Sequence, residues 1–295
     1  MIIPKQIQIE TVAGLCNVRC IMCPVDISIR KEIMTNDKFL TILKKFLPYK
    51  EHIEMISLLG LGEMLLDKEI AKKVQLCKNL GFKGIGVYTN GMLLSKKVSK
   101  ELLEANLDSL IISIDGISEE TENIIRVGAK VDKIIKNIDD FIQLRNSNKK
   151  FETRIIIRFT EQEINTSEWE LFYELWQKKL DFEKQDLILK YPVHNVGNIK
   201  KLFTLQKYNM KGIKCKEVYE RLIIFSDGEI GLCCGDQFGY YKNENIFEHD
   251  PIEIYNRGMF SKYREEMNKG NILELDLCKN CSVAYSIISK QEFKN

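Results

Sequence analysis

Cys16, Cys20 and Cys23 stand in the run Gly14-Leu15-Cys16-Asn17-Val18-Arg19-Cys20-Ile21-Met22-Cys23-Pro24. Their C-x3-C-x2-C spacing can bring three thiolates to one metal centre. Three thiolates can hold three irons of a four-iron cube, which usually takes four cysteines. The missing fourth leaves one iron open to a ligand, as an open position does on catalytic zinc. Zinc is the competing reading, but its fourth ligand is commonly His. His52, His194 and His249 all lie far from this loop in the chain, so the spacing favours iron–sulfur.

A second group has paired logic. Cys215, Cys233, Cys278 and Cys281 form C-x17-C…C-x2-C. Four thiolates saturate a [4Fe–4S] cluster or a zinc ion equally well, and spacing alone leaves both open. Cys234 directly follows Cys233 and could replace it as a ligand. Cys77, with Val74 and Leu80 in an amphipathic stretch, reads as a buried core thiol.

These residues need a scaffold, and the hydrophobic pattern supplies one. The chain has 295 residues, 44% of them hydrophobic, enough for one large α/β domain with an appendage. Strand-like runs at Gln6–Val12, Ile53–Leu59, Gly84–Thr89, Ser109–Ile114, Thr153–Phe159 and Leu187–Tyr191 alternate with amphipathic stretches at Asp37–Phe46, Lys68–Asn79, Ser95–Ala105, Val131–Arg145 and Ser167–Lys179. That alternation predicts a parallel sheet in a partial (β/α)6 TIM-like barrel over residues 1–194. The cysteine loop follows the first strand, at the carboxyl end where such folds place their sites.

Residues 195–295 read differently. Asn195–Lys214 looks like a connector. Arg221–Ser226, Asp227-Gly228 and Glu229–Cys233 read as a β-hairpin, and Pro251–Asn268 as a helix. Such elements bury little surface by themselves, and a cluster or metal would staple them.

A balance of 44 basic against 42 acidic residues leaves no electrostatic footprint for nucleic acid or anionic membrane. No secretory signal and no membrane-spanning run is visible, which predicts a cytoplasmic protein. Nine cysteines in a reducing compartment point to metal rather than disulfides.

With these motifs in order, the chain resembles the radical S-adenosylmethionine superfamily from about Gln6 to Tyr191. The resemblance implies that Cys16, Cys20 and Cys23 ligate a [4Fe–4S] cluster whose open iron binds S-adenosylmethionine. Reductive cleavage would then give a 5′-deoxyadenosyl radical that takes a hydrogen atom from substrate. Leu58–Leu66 resembles the family's Gly-Gly-Glu motif through Gly60, Gly62 and Glu63, with Leu61 as a departure. Tyr88-Thr89-Asn90-Gly91 recurs after the third strand, bringing Thr89 and Asn90 into the cofactor set. Ser113-Ile114-Asp115-Gly116 resembles an S-x-D-G motif, with Ser113 on the cofactor and Asp115 at the barrel mouth, although Asp115 or Ser118 could also cap a helix. Arg126 stands where some relatives pair an arginine with the methionine carboxylate. Arg154 and Arg158 share one face of the fifth strand, and His194 ends the sixth; all three are substrate-binding candidates.

The C-terminal third is similar to the SPASM/twitch extension, which implies an auxiliary [4Fe–4S] cluster on Cys215, Cys233, Cys278 and Cys281. Cys234 is then left beside it, either as a small strand-end residue or as a hydrogen-atom donor. The implied partners are a low-potential electron donor such as flavodoxin or ferredoxin and a small-molecule or peptide substrate. The chain begins almost at its first strand, with no room for a leader-binding domain. This favours a small polar substrate of sugar or aminocyclitol type, dehydrogenated or epimerised, over a peptide. A non-catalytic iron–sulfur or zinc sensor is the competing class.

Overall fold

The computed structural model describes residues 1–195, 214–241, 244–279 and 281–283. The expected connector Asn195–Lys214 lies outside these residues except at its two ends. The main sheet is built from β1 (Gln6–Ile9), β2 (Met55–Leu58), β3 (Ile85–Thr89), β4 (Ser109–Ser113), β5 (Arg154–Glu161), β6 (Leu187–Pro192), β7 (Arg221–Ile224) and β8 (Ile230–Gly231). Its order is β6-β5-β4-β3-β2-β1-β7-β8. Every pair is parallel except β7 with β8. The first six strands follow one another in sequence, which is the partial (β/α)6 barrel expected from the alternation.

The helical layer comprises α1 (Asn36–Lys45), α2 (Ile70–Asn79), α3 (Lys96–Glu104), α4 (Glu119–Ile125), α5 (Val131–Asn146) and α6 (Trp169–Lys179). Starts are set by capping side chains: Thr35, Ser95 and Ser118 accept from the N–H of Lys38, Val98 and Thr121. Strand alternation divides the two faces. On β5, Ile155, Ile157 and Phe159 are buried toward the helices, Phe159 meeting Phe172 of α6 at a centroid distance of 4.7 Å. Ile156, Arg158 and Thr160 face the lumen. Arg145, expected only as part of a helical stripe, is fully buried and pairs with Asp186 at 2.6 Å.

The first strand is shorter than the expected Gln6–Val12. The strand ends at Ile9, and Val12–Ala13 pairs instead with Glu32–Ile33 across the neck of the cysteine loop. A second antiparallel pair, Arg19–Cys20 with Arg126–Val127, fastens the loop to the chain after α4. Neither short pairing is visible as alternation, since two residues make no pattern.

The C-terminal hairpin does not stand apart. β7 pairs in parallel with β1, from Gln6 against Arg221 to Ile9 against Ile224, so the barrel sheet itself buries it. Gly228 turns the hairpin at φ +87°. Cys233 lies beyond β8 rather than ending it. The expected helix Pro251–Asn268 breaks into α8 (Pro251–Tyr255) and α9 (Gly258–Lys269). Between them Asn256 donates to the carbonyls of Ile252 and Ile2 and accepts from the Ile2 N–H, an N-terminal anchor that competes with helix continuation. Ahead of β7 sits the short α7 (Glu217–Glu220). Among the described residues no helix is long and apolar enough to cross a membrane.

Candidate active site

Cys16, Cys20 and Cys23 line one cavity of about 170 Å³ at the carboxyl ends of the first strands. Gly60, Gly62, Glu63, Thr89, Asn90, Ser113 and Arg126 line it with them. Asp115 does not.

The segment around Gly60 runs directly beside the start of the cysteine loop: the Gly14 N–H donates to the Leu61 carbonyl and the Glu63 N–H to that of Leu15. A Cβ on Gly62 would fall 2.6 Å from the Val12 carbonyl oxygen, and one on Gly60 would collide with the Glu10 side chain. Both glycines therefore admit protein neighbours as well as bordering the cavity. Glu63 is buried and accepts from Thr89 Oγ1 at 2.6 Å, the Asn90 N–H at 2.8 Å and the Leu65 N–H at 3.0 Å. Burial pushes its carboxyl up, against the pull of these donors and of Arg126. Asn90 Nδ2 donates to Asn17 at 2.9 Å and stands 3.9 Å from Cys16 Sγ.

Arg126 Nη1 points at Cys20 Sγ at 3.5 Å, while its Nη2 pairs with Asp115 at 2.7 Å. Burial works against this charge, but Asp115, Cys20 and Glu122 together keep Arg126 a cation. The Glu122 carboxyl is pushed up to about 7, chiefly by burial. Asp115 is fully buried and also accepts from the Thr160 N–H at 2.6 Å. The expected mouth residue thus faces inward and orients Arg126, while Ser118 caps α4.

A larger cavity of about 500 Å³ adjoins the first, sharing Met22, Leu59, Gly60, Tyr88 and Arg158 with it. It runs from the barrel lumen to the C-terminal region, where Cys233 and Cys234 form part of its wall. His194 lines it, with Nδ1 3.1 Å from Ser282 Oγ. Of the two strand arginines only Arg158 borders it. Arg154, earlier on the same strand face, donates to Ser109 Oγ at 2.8 Å.

Cys215, Cys233, Cys278 and Cys281 are buried, while Cys234 is half-buried. Burial pushes the Cys215 thiol up to about 12 and also raises Cys278, and each feels the charge of Cys281 and Cys234. Cys233 and Cys234 hydrogen-bond one another, and Cys234 is held well above its ordinary value by that bond and by burial. In the first group burial raises all three thiols, Cys23 to about 11. Burial thus favours the protonated thiol at Cys16, Cys20, Cys23, Cys215 and Cys278, and a metal would displace those protons.

Among the described residues no three metal-binding side chains gather around a single point as one ion requires. A four-iron cube spreads its sulfur ligands over separate corners. Three thiols around one cavity, with donors aimed at Cys20 and Cys16, would suit three corners of such a cube.

Three features escaped the sequence reading. Glu10 accepts from the Leu61 and Ser226 N–H groups and pairs with Arg30 at 3.1 Å. Arg30 also donates to the carbonyls of Gln237 and Phe238 and lies over the Phe225 ring at 3.9 Å. This buried pair ties the cysteine loop to the C-terminal region. Glu217 and Arg221 pair at 3.2 Å in the wall near Cys234. Tyr88 and Tyr191 flank Arg158. An acid ending an apolar strand was the one available signal, at Glu10.

The sequence matches the family model of the radical SAM superfamily over residues 11–168 and an iron–sulfur cluster-binding domain model, SPASM, over residues 215–282. An uncharacterized protein of Methanocaldococcus jannaschii is 29% identical over 42% of this chain and 39% of its own length. A GTP 3′,8-cyclase of Thermodesulfovibrio yellowstonii is 31% identical over 57% and 51%, and one of Limosilactobacillus fermentum 24% over 80% and 79%. The match thus spans about half or less of the first two relatives. Among solved structures, BtrN in complex with AdoMet and 2-DOIA superposes with TM-score 0.64 at 18% identity, over 95% of this chain and 93% of that one. Streptococcus suis SuiB bound to precursor peptide SuiA gives 0.67 at 16%, over 96% and 71%. At these identities the structures establish the fold. The family model covers more than half of the sequence, and the chain belongs to the radical SAM superfamily, whose cofactors are [4Fe–4S] clusters and S-adenosylmethionine.

Proposed function

We propose that this protein is a radical SAM enzyme acting on a small polar substrate held between the barrel lumen and the C-terminal thiol group. The observation that carries the reading is the junction of the two cavities: the cysteine loop opens into a chamber of about 500 Å³ whose far wall includes Cys233 and Cys234. That volume suits a small molecule. When bound, the first cluster and S-adenosylmethionine supply a 5′-deoxyadenosyl radical by one-electron reductive cleavage.

The chain's own residues do the rest. Cys16, Cys20 and Cys23 hold the first cluster, with Arg126 charge-stabilising the Cys20 sulfur. Glu63 offers an acceptor to the cofactor's ammonium, and Thr89, Asn90 and Ser113 line its seat. Asp115 keeps Arg126 in place. Cys215, Cys278, Cys281 and one of Cys233 or Cys234 hold the auxiliary cluster. His194, at the sixth strand's end, is placed to hold a substrate hydroxyl or take its proton. The reductant is a low-potential electron carrier.

Two outcomes fit the chamber. In dehydrogenation the substrate radical would lose a proton and pass its remaining electron to the auxiliary cluster that the C-terminal thiols would hold. Epimerisation returns a hydrogen atom from a thiol on the opposite face, leaving a thiyl that the low-potential carrier re-reduces with uptake of a proton; Cys234, the thiol in excess of four in the C-terminal group, supports it. The test is anaerobic reconstitution, iron and sulfide counts, then dithionite with S-adenosylmethionine. About eight irons and release of 5′-deoxyadenosine are expected. Intact protein that loads no cluster, or that loads clusters and leaves the cofactor uncleaved with substrate present, overturns the reading.

A further inference from the structure

Five charged side chains border the larger cavity: Glu10, Arg158, Glu217, Arg221 and Asp236. Four are compensated. Glu10 pairs with Arg30 at 3.1 Å and Glu217 with Arg221 at 3.2 Å. Asp236 accepts from the N–H groups of Leu232 at 3.2 Å and Tyr240 at 2.8 Å, so it is spent on the turn it builds.

Arg158 is different. Among the described residues no carboxylate lies within ion-pair distance of its guanidinium, whose contacts are the ring faces of Tyr88 and Tyr191 at 5.8 and 5.3 Å. Both distances are within cation–π range, which steadies the charge without cancelling it. Arg158 also stands where the two cavities meet. A half-buried cation between two rings, opening on a chamber and lacking an anion, is one half of an ion pair.

We propose that Arg158 is the anion anchor of the substrate site. On the reading above, the substrate carries a carboxylate or a phosphate that the guanidinium fork takes through paired hydrogen bonds, with Tyr88 and Tyr191 holding the plane of the fork. A plain sugar or an amine-bearing cyclitol leaves this charge uncompensated; an acidic or phosphorylated one completes it. Lysine keeps the charge but not the fork.

The test uses cluster-reconstituted protein titrated anaerobically by calorimetry with inorganic phosphate and, separately, acetate, each with and without saturating S-adenosylmethionine. Saturable binding of one anion is expected, undiminished by the cofactor, at least tenfold weaker in Arg158→Met and partly restored in Arg158→Lys. Arg154→Met keeps the wild-type affinity. Whichever anion binds names the substrate group. The proposal is overturned if neither anion saturates, if Arg158→Met binds as well as wild type, or if S-adenosylmethionine displaces the anion; that last result assigns Arg158 to the cofactor's carboxylate. Wild-type protein that cleaves the cofactor but binds no anion loses only this site, whereas one that also fails to cleave it loses the functional reading as well.

Discussion

Cys16, Cys20 and Cys23 come from one loop and remain half-buried around a cavity, whereas Cys215, Cys233, Cys278 and Cys281 come from well-separated segments and are buried. The first group is held by a scaffold that needs no metal: the Val12–Ala13 and Arg19–Cys20 pairings, Glu63 and the Arg126–Asp115 ion pair. The second group closes a long stretch of chain, from before β7 to beyond α9, where thiolate–metal bonds would carry much of the cohesion. The difference separates three thiols bordering an open cavity from four buried thiols that draw distant parts of the chain together beside the larger cavity.

The largest effects should fall on the first group. Cys20→Ala is expected to reduce 5′-deoxyadenosine release to background and remove about four irons, with the far-ultraviolet dichroism spectrum preserved. Cys278→Ala is expected to remove a similar share of iron, but with a lowered thermal midpoint and earlier proteolysis within residues 214–283. Equal thermal midpoints for the two variants would erase the contrast.

Arg126→Met should come next. It leaves Asp115 buried without its cation, a loss of about 3–5 kcal/mol measurable by chemical denaturation. The double variant Arg126→Met, Asp115→Asn should recover part of it. A cost under about 1 kcal/mol, the range of an exposed pair, would mean that the pairing does not hold the loop.

Glu10→Gln should act on the joint between the regions. Arg30 loses its carboxylate, and faster hydrogen exchange is expected at Leu61 and around Gln237–Phe238 while the helices keep their protection. Unchanged exchange at those positions would separate the two regions mechanically.

With Cys233 as the fourth ligand, Cys234→Ala should disturb stability least and decide most about chemistry. With substrate in deuterated water, an epimerase loses turnover and stops incorporating solvent deuterium, whereas a dehydrogenase is hardly affected.

Alternation along the chain was enough to order the six barrel strands, because each strand's periodicity is local and each parallel connection is carried by its own helix. The cysteine loop was equally legible: its three cysteines lie within one short run, and they line one cavity. The fate of single charged residues was not. Asp115 and Arg126 are eleven positions apart, and nothing in their sequence says that one turns inward to hold the other. Glu10 and Arg30 also meet Ser226, Gln237 and Phe238, which the pairing of β7 with β1 brings from more than two hundred residues away. Arg154 and Arg158 share a face, a type and a strand, yet one is bound to Ser109 and the other opens on the chamber. What the sequence by itself determined was what short-range pattern encodes: strand order, loop chemistry and family. Which charge meets which, and which thiol is left facing the chamber, was decided by tertiary packing, because those contacts depend on where distant segments come to rest.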